Sequence, residues 1–71
     1  MSTQTFRVEG MTCDHCVHAV TEELHQLDGV KAVDVDLEPG GISHITVHSE
    51  REVADAEVSD ALDEAGAYAL A

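Results

Sequence analysis

The residues best equipped for chemistry are the chain's two cysteines, in the run Gly10-Met11-Thr12-Cys13-Asp14-His15-Cys16. Two sulfurs separated by two residues reach a single ion, and thiolate is a soft donor that selects Cu(I). Zn(II) prefers four ligands and is left short by two sulfurs. Cys13 and Cys16 are therefore predicted to hold Cu(I), with Zn(II) or another soft metal as the alternative. So few ligands also leave room for a thiol from another protein, which lets the ion depart by stepwise exchange. A disulfide across so short a loop would constrain little of the unfolded chain. A dithiol redox centre shares the Cys-x-x-Cys spacing, but the chain lacks Trp and its one proline, Pro39, falls in a turn, which argues against a thioredoxin-like frame.

Five histidines are the other candidate donors. His15 lies between the cysteines, where its imidazole is placed to complete a third coordination position or to bridge two chains around shared copper. His18 should point outward beside Glu22, and His25 has no role beyond surface exposure. His44 and His48 with the cysteines superficially echo a zinc finger, but 27 residues separate Cys16 from His44, against about 12 in such fingers. Placed on the open face of a strand, His44 and His48 could instead pair with Asp34 or Asp36 in a weak divalent site.

The elements that must position these residues follow from the spacing of apolar side chains. Residues 3–9 alternate, with Phe6 and Val8 on one face and Arg7 and Glu9 on the other, as in a half-buried strand. From about Asp14, residues Val17, Val20, Leu24 and Leu27 recur at helical intervals, with Gly29 as the expected stop. The metal loop thus lies where a strand gives way to a helix. There, free backbone N–H groups and the positive end of the helix dipole favour thiolate, lowering a cysteine pKa from about 8.5. Val33, Val35 and Leu37 form a strand with one wet face, Pro39-Gly40-Gly41 a turn, and Ile45 and Val47 the returning strand. Ser49 and Glu52 have capping-box spacing for a second helix, whose buried side is Val53, Val58, Ala61, Leu62 and Ala65 and which ends near Gly66. Residues 67–70 complete the chain as a short strand. The order β-α-β-β-α-β is that of the ferredoxin-like α+β sandwich, a four-stranded antiparallel sheet with both helices on one face.

A chain of 71 residues is expected to be one domain, spanning 1–71. Fifteen acidic residues against three basic ones give a formal charge of −12, which opposes nucleic acid and anionic membranes and favours a basic partner, though it also serves solubility alone. No apolar run approaches the ~18 residues of a membrane span, and no signal segment is evident, so a cytoplasmic location is expected. No phosphate loop or nucleophile–base constellation is present, and an enzyme is not expected.

The stretch Gly10-Met11-Thr12-Cys13-x-x-Cys16, between the first strand and first helix of such a chain, closely resembles the heavy-metal-associated domain family, including small bacterial copper chaperones and the N-terminal modules of copper-transporting P-type ATPases. The resemblance covers essentially the whole length. It implies that Cys13 and Cys16 are the metal ligands and that Met11 is a buried, non-ligating prop beneath the loop. Relatives that prefer zinc or cadmium often place Asp before the first cysteine, where this chain has Thr12, which favours copper. Tyr68 resembles the tyrosine that follows the end of the second helix near the loop in bacterial chaperones, with Ala67 interposed. The function implied is a free-standing chaperone that delivers Cu(I) to a metal-binding domain of a copper-transporting ATPase, monomeric when apo and dimeric when bridged by metal. An excised ATPase domain or a zinc or heavy-metal carrier are the alternatives within the same chemistry.

Overall fold

A computed structural model describes residues 1–12, 14–66 and 68–71. The elements run β1 (Ser2–Glu9), α1 (Asp14–His25), β2 (Val30–Asp36), β3 (Ser43–Ser49), α2 (Asp55–Ala65) and β4 (Ala69–Leu70). The strands form one antiparallel sheet in the order β2-β3-β1-β4. Strand β3 therefore slots between β1 and β2, which α1 connects, and this is the expected ferredoxin-like arrangement.

Alternation decides which face of the sheet is dry. Phe6 and Val8 of β1, with Ile45 and Val47 of β3, are buried against Val20 and Leu24 of α1 and Val58, Ala61 and Leu62 of α2. Register aligns them, with Phe6 opposite Ile45, Ile45 opposite Val35, and Val47 opposite Val33. A one-residue slip would turn this whole set to water. On the other face Thr5 and Thr46, directly opposite, share a hydroxyl contact of 3.3 Å. The hairpin closes through Gly41 N–H donating to the Glu38 carbonyl at 3.0 Å, with Pro39 and Gly40 as the central turn residues.

Two element ends differ from expectation. Helix α1 stops at His25 instead of running to Gly29, because Gln26 and Leu27 N–H donate to the carbonyls of Glu23 and Leu24, a tighter three-residue winding. Ser49 and Glu52 do not cap α2. Ser49 is buried at the end of β3 and its hydroxyl donates to the Arg51 carbonyl. The helix begins instead after Ala54, whose N–H donates to Glu57 Oε1 at 3.2 Å. The intervening connection is held by the Gln4 side chain, which donates to the Val53 carbonyl at 2.9 Å and accepts the Val53 N–H at 2.7 Å. The last strand is confined to Ala69–Leu70, and Ala67, where it was expected to begin, lies outside the described residues.

Candidate metal site

Strand β1 ends at Glu9, and Gly10, at φ 97°, takes the chain out of the sheet through backbone space that a side chain would disfavour. Met11 then turns inward and is fully buried in the core, while Thr12 is exposed. Helix α1 begins at Asp14. Cys16 is therefore its third residue, beside the amide groups that no helical carbonyl satisfies. Cys16 is half-buried and packs against the core edge, with its sulfur 3.9 Å from Thr12 Oγ1. This Thr12–Cys16 contact was not anticipated; a hydroxyl residue four positions before the sulfur, across the helix start, is the signal that could have found it. Cys13 lies outside the described residues.

His15 is exposed, as an auxiliary donor requires, and lines a shallow depression with Asp14 and His18, itself exposed. His25 is exposed at the last turn of α1. At the other side of the loop, Gly66 closes α2 and Tyr68 is half-buried. The tyrosine ring folds back over Gly66 so closely that a Cβ there would stand 2.9 Å from its Cε2. Glycine at this position is thus a condition for the tyrosine's placement.

On the open sheet face the structure joins only part of the expected set. His48 Nε2 lies 3.3 Å from Asp34 Oδ2 and its Nδ1 lies 3.2 Å from Thr3 Oγ1. His44 stands opposite Asp36 in register without joining them. Among the described residues no three His, Cys, Asp or Glu side chains are grouped to hold a metal, so no divalent site forms there. Among them also, no helix is long and apolar enough to cross a membrane.

The family model of the heavy-metal-associated domain matches residues 5–66. The copper chaperone CopZ of Staphylococcus saprophyticus is 42% identical over 66 residues, covering 93% of this chain and 94% of its own. A solved CopZ metallochaperone superposes with a TM-score of 0.81 at 35% identity, covering 99% of this chain and 100% of its own. The copper(I)-loaded first domain of the human copper chaperone for SOD1 superposes with a TM-score of 0.66 at 30% identity, covering 99% and 94%.

Proposed function

Since the chain belongs to the heavy-metal-associated domain family, we propose that it is a copper chaperone of the cytoplasm, one domain over residues 1–71, in which Cys13 and Cys16 carry Cu(I) as cargo. The observation that carries this is the placement of Cys16 in the first turn of α1, directly after the Gly10-Met11-Thr12 exit from β1. An anionic sulfur there is favoured by the helix dipole and by unsatisfied amides. The relatives named as copper chaperones, one of them copper(I)-loaded, support the choice of metal.

Delivery follows from the low ligand number. A thiolate of the acceptor, a metal-binding domain of a copper-transporting P-type ATPase, forms a third Cu–S bond, and one of the chaperone's Cu–S bonds then breaks. Repetition moves the ion with no change in its oxidation state. His15 is near enough in sequence and exposed enough to occupy the third position before the acceptor arrives, or to join a metal-bridged dimer of otherwise monomeric chains. The protein performs no catalysis in this scheme.

The test is a titration of the reduced protein with Cu(I) against a competing chelator, beside Cys13→Ser and Cys16→Ser. Loss of either thiol is expected to lower affinity by orders of magnitude, and affinity should fall with pH as protons compete for the thiolates. Tight binding that survives either substitution would refute the assignment, and Zn(II) occupancy favoured in a parallel titration would replace copper with zinc.

A further inference from the structure

Neither helix carries a lysine or an arginine, and acidic residues stand near both ends of α1 and throughout α2. The three basic residues, Arg7, Lys31 and Arg51, belong to strands or to the connection before α2. Lys31 is engaged by Glu50 and Arg51 by Glu57. Between the end of α1 and α2 runs a groove of about 300 Å³. Its floor is apolar, formed by half-buried Leu27 and by Ala61, and its rim carries Glu23, Asp60 and Glu64, with Glu57 already neutralised by Arg51. Three rim carboxylates are thus left with no guanidinium or ammonium partner on either helix.

The groove and the metal loop share no lining residue. Along α1, Cys16 stands nine positions before the last residue His25, a rise of about 14 Å, and seven before the rim residue Glu23, about 10 Å. The Arg51 guanidinium fixes the same end, donating both to the Asp28 carbonyl just beyond α1 and to Glu57 in the first turn of α2. On α2 the groove runs from Glu57 in the first turn to Glu64 in the last, so it is anchored at the end remote from Cys16 and extends along α2. The depression beside the loop has a different lining, Asp14 with two imidazoles.

We propose that this groove is a docking site for a cationic segment of a partner protein, a stretch bearing lysines or arginines around one apolar side chain that seats on Leu27 and Ala61. The rim carboxylates would meet the cations, which steers approach and fixes register, and the apolar floor would supply burial. Because the groove is not lined by Cys16 or its neighbours, a partner seated in it does not cover Cys16, so docking and copper exchange engage different residues. The inference goes beyond the copper assignment and does not depend on it, since it concerns the metal-free protein as much as the loaded one.

Two synthetic peptides test it, one an amphipathic lysine–leucine peptide and the other of equal charge with serine in place of leucine, each titrated calorimetrically into apo and Cu(I)-loaded protein. The lysine–leucine peptide should bind both forms alike and more tightly than the serine peptide. Asp60→Asn/Glu64→Gln, both on α2, should raise its dissociation constant about fivefold or more, and Glu22→Gln/Asp63→Asn, equal in charge change with one residue on each helix but outside the groove, less than about twofold. Equal weakening by the two double variants would overturn the proposal in favour of a diffuse acidic field. Equal affinity for the two peptides would overturn the role of the floor, and binding that requires copper would place the contact at the loop.

Discussion

A thioether two residues from a thiolate pair is a natural soft-metal donor, and this fold takes it out of reach. Met11 is fully buried among core side chains, so its sulfur serves packing, while Cys16 is only half-buried. The two roles separate experimentally. Met11→Leu conserves volume and should cost less than about 1.5 kcal/mol, leaving Cu(I) affinity within about twofold, because no ligand is lost. Met11→Ala opens a cavity under the loop and should destabilise by about 2–5 kcal/mol. In a domain of this size that is a large share of the about 4–10 kcal/mol available. Denaturant melts and chelator competition on the two variants check this. A large affinity loss in Met11→Leu, with stability retained, would make the thioether a ligand.

At the scale of elements, the junction that fixes the two helices to each other is the Arg51–Glu57 pair. Its two contacts measure 2.9 and 2.6 Å, with Glu57 also accepting the Ala54 N–H. The guanidinium's hydrogen bonds, then that backbone N–H, hold the Glu57 carboxyl at about 2, below its ordinary 4.5. A carboxyl depressed on folding adds stability above its unfolded pKa and loses it as pH falls through the folded one. The pair's contribution is therefore full above about pH 4.5 and fades toward pH 2. Glu57→Gln should be less stable than the parent at neutral pH, and the difference should shrink as acid melts descend through that window. A difference independent of pH would assign the loss to packing instead.

The same junction shows what sequence pattern reaches and what it does not. The strands and helices were legible because Phe6/Val8, Val33/Val35 and Ile45/Val47 alternate, while Val20 and Leu24, and Val58 and Leu62, recur at helical spacing; burial follows those periods. The start of α2 was not, because Ser49–Glu52 and Ala54–Glu57 share the same interval and local spacing cannot rank them. What ranks them is the Gln4 amide, 49 residues from Val53, which pins the connection so that helix can form only beyond it. At the metal loop, the place of Cys16 at the helix start and the exposure of His15 were readable from the strand-to-helix change of period. The hydroxyl of Thr12 beside the sulfur is signalled only by its interval of four residues from Cys16, which becomes a contact through the path of the chain around the helix start. His48 meeting Asp34 diagonally, while His44 and Asp36 merely face each other, likewise depends on side-chain directions across the sheet.

For the whole molecule, charge and size set the response to salt. The formal charge is −12 and the molecule measures 31 × 19 × 19 Å. At 0.01 M ionic strength the Debye length is about 30 Å, so every carboxylate senses the others, whereas at 1 M it is about 3 Å and repulsion is confined to near neighbours. Against this stand, among the described residues, the ion pairs Lys31–Glu50 and Arg51–Glu57, which salt also weakens. Exposed pairs contribute about 0–1 kcal/mol each, and Lys31–Glu50 is largely exposed. Self-repulsion among fifteen acidic residues, opposed by three basic ones, is the larger effect, so sodium chloride should stabilise the fold. Relief of even about 1 kcal/mol would raise the melting temperature of a domain this small by about 4–8 °C. Thermal melts of the metal-free protein at neutral pH in 0.01 and 1 M sodium chloride measure it directly. A lower melting temperature at high salt would mean that the ion pairs outweigh the repulsion, and that the acidic helical face is already compensated within the chain.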